Sequence, residues 1–396
     1  MRIVHVTNYL MPEVGYQDHY LAKYQAEAGH EVHVITSNRA YPPQKDYSVF
    51  SSLYPSRTVE TGVERRDGYT LHRLQAHLER NMQLVLGGLI SEIRSLDPDL
   101  VIAHGFTRFE TMRLAFYKSI ARASYRLVVD DHTLWSAYVP ALYRRIYHAL
   151  FRATFLLFGR SVDRIVPVSD ETATFLTTIF GVHPSSMTML PLGADCDLFT
   201  FDPSARNRIR EQLGIPADGV TVLYAGKVTE EKGVHLLWSA FERGVGHNPK
   251  AFLLIVGSGI DGNYAARIRS EVESRSFDTR VIWHRHVSHD ELPAFFSAAD
   301  IAVWPSQETM GALEAAACGC PLILPDSAVG RERTAGGNGL TCGSAEDLEA
   351  ALARLVEDGH LRETMGRRGA QFVRERFDWR VIARSFAELG AAVRTP

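Results

Sequence analysis

The chain has 396 residues, a length that predicts two or three domains. Apolar residues make up 45% and charged residues 22%, which excludes a disordered chain. Its 43 basic and 46 acidic residues leave a net charge of −3, so nucleic acid is not an expected partner, though one local basic site is allowed.

The opening residues, MRIVHVTNYLMPE, hold a short apolar run broken by His5. That run is too short for the apolar segment of a secretory signal and reads as a strand, IVHVT (3–7). Further strands are predicted at 31–37, 100–105, 126–131, 164–169 and 188–193 (TMLPLG), with helices over 17–28, 107–123 and 141–159. Runs rich in Val and Ile, with little polar alternation, suit parallel strands covered by helices on both faces. After the aperiodic stretch 194–215 the pattern restarts, with strands at 221–226, 251–257, 280–287, 300–306 and 321–326, and a helical end over 344–394. The expected fold is α/β: two Rossmann-like doubly wound domains, 1–200 and 201–377, facing a central cleft, with the C-terminal helix (about 378–396) packing back on the first.

The sharpest local pattern is AGKVTEEKGV (225–234). A buried strand ends at Gly226, Lys227 and Lys232 flank a short loop, and Gly233 opens a helix. Two ammonium groups beside a helix N-terminus make a diphosphate site; the plainer alternative is a pair of solvated lysines. A second constellation, WPSQETMGALEAAACGCPLILPD (304–326), sets Glu308 before an alanine-rich helix and Glu314 within it. A carboxylate there suits the hydroxyls of a ribose, and Met310, Gly311 and Ala312 offer backbone N–H groups to a phosphate. Taken singly, each glutamate is better explained by capping or solvation; together with the lysine loop it is not.

These residues resemble the nucleotide-sugar-binding half of the retaining GT-B glycosyltransferases of family 4. The matches are Gly226, Lys232-Gly233, Gly257-Ser258-Gly259, Ala299-Asp300, Pro305-Ser306, Glu308, Glu314-Ala315, Gly319-Cys320-Pro321 and Asn338-Gly339-Leu340. In the first half, GHEVHVIT (29–36), VPVSD (166–170) and LPLGADCDLF (190–199) also match. The chain departs in having Lys227 where arginine is usual, which loses a bidentate fork. Five residues rather than seven separate the two glutamates, and Gly15-Tyr16 stands for a glycine pair.

The resemblance implies transfer of a hexose from a nucleoside-diphosphate sugar to an acceptor hydroxyl on a small molecule, glycan or lipid, with retention and no metal or other cofactor. Lys227, Lys232, Glu308 and His132 would be catalytic. Gly15, Gly226, Gly257, Val287, Met310, Gly311, Ala312 and Glu314 would hold the donor, and Tyr16 and Asp131 would stand on the acceptor side. His104 is a weaker candidate, equally readable as a core histidine. Alternatives are a nucleotide-sugar epimerase of the same fold and a nucleotide-binding pseudo-enzyme.

Other patterns have simpler explanations. Gly257, Gly259 and Gly262 spell G-x-G-x-x-G, but after the second strand of their domain rather than the first, which argues against a dinucleotide dehydrogenase. The pairs Asp97/Asp99 and Asp195/Asp197 read as turns rather than metal sites. Cys196, Cys318, Cys320 and Cys342 are too few and too irregularly spaced for a disulfide framework or a zinc site, so a reducing, cytoplasmic setting is expected. The stretch 142–160 sets arginines and aromatics on a helical period, as a covering helix or as a contact with the inner face of a membrane.

Overall fold

The computed structural model describes residues 1–43, 53–80, 82–133, 142–260, 262–277 and 279–391. The chain divides into two units, Met1–Leu192 with Trp379–Pro396, and Gly193–Asp378.

In the first unit the strands are β1 (Arg2–Val6), β2 (Glu31–Ser37), β3 (Gly62–Arg66), β4 (Tyr69–Leu74), β5 (Ala76–Arg80), β6 (Gln83–Leu86), β7 (Leu100–His104), β8 (Arg126–Asp131) and β9 (Arg164–Pro167). The main sheet runs β3-β4-β2-β1-β7-β8-β9, parallel except for β3, and β5 and β6 form a separate antiparallel pair. Ile3, Val4, Val34, Ile35, Val101, Ile102, Val128 and Val129 are all buried, as strands covered on both faces must be. The chain leaves β1 on one side through β2 and returns to β7 on the other. That reversal opens a crevice at the carboxyl ends of β1 and β7.

The second unit repeats the plan with β10 (Val220–Ala225), β11 (Ala251–Gly257), β12 (Val281–Arg285), β13 (Ile301–Val303), β14 (Leu322–Pro325) and β15 (Gly339–Cys342), in the order β12-β11-β10-β13-β14-β15. Its reversal lies between β10 and β13. Asp300, just before β13, accepts from Arg206 (2.8 Å), Arg210 (3.1 Å) and the Thr221 amide (2.7 Å), tying the helix Pro203–Gln212 to the sheet.

Three expectations need correction. TMLPLG is not a strand: the residue before it, Met187, makes one isolated bridge to Ile165, and Pro191 within it has no N–H for a ladder. The stretch 194–215 holds the helix Pro203–Gln212, capped by the Asp202 side chain on the Ser204 and Ala205 amides with proline in its first turn. The sequence pattern predicts no strand over 62–86, yet β3 to β6 lie there. The helix Trp379–Ala391 packs on Gln17–Glu27 within the first unit, with Trp379 stacked on Tyr20 at 5.5 Å between ring centroids. Residues 392–396, also expected in that helix, lie outside the described residues.

The helix Leu142–Phe158 buries Phe151 but leaves Ile146, Leu150, Leu156 and Leu157 more than 60% exposed. Among the described residues no helix is long and apolar enough to cross a membrane.

Candidate active site

The lysine loop leaves β10 at Gly226, makes a single tight turn over Glu230–Lys232 and enters the helix Val234–Val245 through Gly233, whose φ is +70°. A Cβ at Gly233 would lie 2.1 Å from Ser306 Oγ, so this loop fits closely against the one that follows β13. Lys232 Nζ donates to Gln307 Oε1 at 2.8 Å and joins the two loops. Because β10 and β13 flank the reversal in strand order, the cations stand where open parallel sheets bind ligands. Lys227 is exposed and Lys232 half-buried. Burial lowers the Lys232 pKa; Glu231 opposes that shift and Lys227 reinforces it.

The helix Met310–Ala317 starts at the same place. Met310 and Gly311, in its first turn, have no intrahelical acceptor for their N–H groups. Ala312 differs from expectation: its N–H donates to the Thr309 carbonyl at 3.0 Å and is not free for a phosphate. Glu308 is half-buried and accepts from Ser327 Oγ at 2.7 Å. The Glu314 side chain is only 8% exposed, and its Oε1 lies 2.8 Å from His289 Nε2. His289, which nothing in the sequence pattern singles out, has burial acting against its charge, yet the bond to Glu314 outweighs that and raises its pKa. Arg333 is likewise invisible to the sequence pattern. Its buried guanidinium donates to the Thr309 carbonyl behind the helix start, where Glu308 and Glu314 partly offset the cost of burying it.

Gly226 directly follows β10 and Gly257 ends the adjacent β11, and a Cβ on Gly257 would lie 1.7 Å from the Gly226 carbonyl oxygen. Val287, expected to touch the donor, is buried in the core of this unit. In G-x-G-x-x-G, Gly262 serves as the cap of the helix Asn263–Ser274, while Asp261 lies outside the described residues. Asp99 accepts from the Arg2 amide at 2.8 Å, and Asp195 accepts from the Asp197 and Leu198 amides at 3.1 and 3.2 Å.

In the first unit a cavity of about 320 Å³ opens at the carboxyl ends of β1 and β7. Thr7, Asn8, Gln17, Asp18, His104 and Asp130 line it, with Tyr16 and His132 at 41% and, for the side chain, 44% exposure. Gly15, expected to touch the donor, does not line this cavity; it precedes Tyr16 in a left-handed conformation with φ +73°. Gln17 Nε2 donates to Asp130 Oδ2 at 3.3 Å, while Gln17 Oε1 is buried without a partner among the described residues, as an acceptor awaiting a ligand donor would be.

Asp131, expected on the acceptor side, is turned away. Its oxygens accept the amides of Phe106 (2.9 Å) and Thr133 (2.8 Å), and it does not line the cavity. Successive residues of a strand point to opposite faces, so Asp130 is the carboxylate that lines the cavity, 3.8 Å from His132 Nε2.

Burial pushes the pKa of His5 down to about 3, with His104 adding to the shift, and pushes that of His19 down to about 4. Both lie below the unfolded value, so between pH 6.5 and 4 the unfolded chain takes up protons that the folded chain refuses. Each group then removes up to about 1.4 kcal/mol of stability per pH unit. His104 and His289 have raised pKa values; their contribution is complete below pH 6.5 and is lost only on the alkaline side. The melting temperature is therefore expected to fall from pH 6.5 to pH 4.5, and a flat profile by scanning fluorimetry would contradict the burial of His5 and His19.

Two doubly wound units with ligand-type crevices at their switch points define the class: the fold is that of the GT-B glycosyltransferases. Residues 205–372 match the family described as Glycosyl transferases group 1, and residues 19–198 match Glycosyltransferase Family 4. The chain belongs to the group 1 glycosyltransferases.

Among curated relatives it is 31% identical to a D-inositol 3-phosphate glycosyltransferase of Xylanimonas cellulosilytica, over 58% of this chain and 57% of the relative. It is 29% identical to a GDP-mannose-dependent alpha-(1-6)-phosphatidylinositol monomannoside mannosyltransferase of Mycolicibacterium smegmatis, over 58% of this chain and 63% of the relative. These matches thus span about three-fifths of each relative's length. Among solved structures, Anabaena HepE in complex with UDP superposes with a TM-score of 0.71 at 18% identity, covering 99% of this chain and all of that one.

Proposed function

We propose that the protein transfers a hexose from a nucleoside-diphosphate sugar to an acceptor hydroxyl, with retention at the anomeric carbon. The observation that carries this reading is the Lys232–Gln307 bond, which gathers the lysine loop and the helix start at Met310 around one point beyond β10 and β13. As the glycosidic bond to the diphosphate breaks, negative charge grows on the leaving oxygen and the sugar becomes oxocarbenium-like. Preorganised cations and amides lower that barrier. Lys227, Lys232 and the Met310 and Gly311 amides do so here, without a metal. The acceptor hydroxyl attacks from the face the diphosphate leaves, and the departing phosphate takes its proton. Relatives named for GDP-mannose and inositol-based acceptors support this substrate class, and the structural neighbour HepE was solved with UDP bound.

Incubating the protein with a panel of UDP-, GDP- and ADP-sugars in EDTA tests the reading. Nucleoside diphosphate release, accelerated by a polyhydroxyl acceptor and giving an axial linkage from an axial donor, is expected. Donor epimerisation without an acceptor, or no consumption of any donor, would refute it.

Glu314 takes a ribose hydroxyl in this reading, together with His289. Glu314→Gln removes a charged hydrogen-bond acceptor and raises the nucleoside-diphosphate Kd about tenfold or more. Unchanged calorimetric binding would remove Glu314 from the site.

The acceptor is lipid-linked and is met at an anionic membrane surface through the helix Leu142–Phe158. Exposed Arg145, Arg152 and Arg160 border its exposed Ile146, Leu150 and Leu157, the composition of an interfacial helix. The chain is expected to float with phosphatidylglycerol vesicles, and Leu150→Glu/Leu157→Glu to abolish flotation. Equal recovery of parent and variant would argue against this surface.

A further inference from the structure

A row of buried polar side chains lies behind the first unit's cavity. His5, on β1, is fully buried. Its Nε2 lies 2.7 Å from Gln25 Oε1, and its Nδ1 lies 3.0 Å from His104 Nε2. His104 Nδ1 lies 2.6 Å from Asp130 Oδ2 on the cavity wall. At the other end, Gln25 Nε2 donates to the carbonyl of Ala383 at 3.2 Å, on the helix Trp379–Ala391.

The protons along this row can be assigned in turn. A backbone carbonyl only accepts, so the amide nitrogen of Gln25 faces Ala383 and its oxygen faces His5. That oxygen also only accepts, so His5 Nε2 carries a proton. Asp130 accepts from the Gly105 amide at 3.0 Å and from Gln17 at 3.3 Å, so it is a carboxylate and His104 Nδ1 carries a proton too. One more proton must fill the contact between the rings, because two bare nitrogens at that distance repel. Three protons on four ring nitrogens give the pair a single positive charge.

That charge belongs on His104. His5 is sealed from water and otherwise meets a neutral amide, whereas His104 meets a carboxylate. Burial acts against charge on both rings, but Asp130 and then Asp18 raise the His104 pKa, while His5 is driven down to about 3. The charged and titratable groups around the pair are Asp18 from the helix Gln17–Glu27, Asp130 and His132 from β8 and the residues after it, and Arg108 ahead of the helix Phe109–Ala121.

We propose that Gln25, anchored on Ala383, fixes His104 as an imidazolium and so keeps Asp130 an ionised carboxylate that orients an acceptor hydroxyl. The orienting part rests on the reading that this cavity receives the acceptor. Gln25, His5 and His104 are positioning residues. Asp130, neutralised by a permanent imidazolium, has too little proton affinity to act as a base, which agrees with the leaving phosphate taking the acceptor proton.

The test is nitrogen-15 NMR of the full chain labelled at histidine, a readout that needs no acceptor and so stands apart from the transfer reading. In the parent, both ring nitrogens of His104 are expected to give protonated-type shifts from pH 6 to 8, while His5 shows one bare nitrogen. In Gln25→Met, His5 is free to change tautomer and donate to His104, and the His104 midpoint falls by about one pH unit or more, tenfold in proton affinity. A bare nitrogen on His104 at pH 7 in the parent, or an unmoved midpoint in Gln25→Met, would overturn the proposal. The parent measurement decides the charge state of the histidine pair even if that variant fails to fold.

Discussion

Replacing Lys232 with alanine is expected to lower turnover by ~10²–10³, the size found when one preorganised donor to a developing anion is removed. Lys232 is the stronger of the two loop cations for physical reasons. It is half-buried, so its charge acts through fewer water molecules than that of exposed Lys227. Its ammonium is tied to Gln307 at 2.8 Å and therefore needs little reorganisation as the diphosphate departs. The lowered pKa, caused first by burial and reinforced by Lys227, means that an arriving diphosphate also relieves an existing electrostatic cost. The loss should consequently fall mainly on kcat, with a smaller rise in donor Kd, and Lys227→Ala should cost less than Lys232→Ala. Turnover within threefold of the parent at saturating donor would remove Lys232 from its catalytic role.

The strands β1, β7, β10 and β11 are legible because burial on both faces leaves short, predominantly apolar runs rich in β-branched residues, with only single polar residues such as His5 and Thr221 among them. The strands β3 to β6 are not. β3 carries Glu64, Arg65 and Arg66 on an exposed edge, so its sequence looks like a loop even though its backbone pairs with β4. The helix Pro203–Gln212 does announce itself, through Asp202 followed by Pro203, but its low apolar content hides the helical period. Among the site residues, the lysine loop can be read because a single stretch of chain builds it. Asp130 and Asp131 cannot be told apart by composition; the pleat chooses between them. Arg333, His289 and the Gln25–His5–His104 row come from distant segments, and only the fold brings them beside their partners. One matched motif also changes its meaning: Asp300 of Ala299-Asp300 buttresses the helix Pro203–Gln212, a structural task rather than a chemical one.

Gly257→Ala is expected to weaken nucleoside-diphosphate binding by at least about tenfold, or 1.4 kcal/mol. The added methyl carbon would stand 1.7 Å from the Gly226 carbonyl oxygen and 2.7 Å from its carbon. Both obstacles are backbone, so no rotamer change relieves them, and β10 and β11 must part at their carboxyl ends. Overpacking of this kind typically costs about 1–3 kcal/mol of stability, which leaves the unit folded but displaces the segment that starts at Gly226. Lys227 and Lys232 ride on that segment, and the Lys232–Gln307 bond fixes where they stand. The same geometry explains why a glycine is needed here without invoking a dinucleotide: the group that approaches Gly257 is the protein's own carbonyl. Gly262→Ala serves as the control, since among the described residues its Cβ would meet only the Gly259 carbonyl, at 3.3 Å, and the residue has an ordinary φ of −82°. Calorimetry with the tightest-binding diphosphate of a UDP, GDP and ADP panel separates the two variants. Equal affinity for Gly257→Ala and the parent would mean that the strand ends do not set the position of the lysine loop.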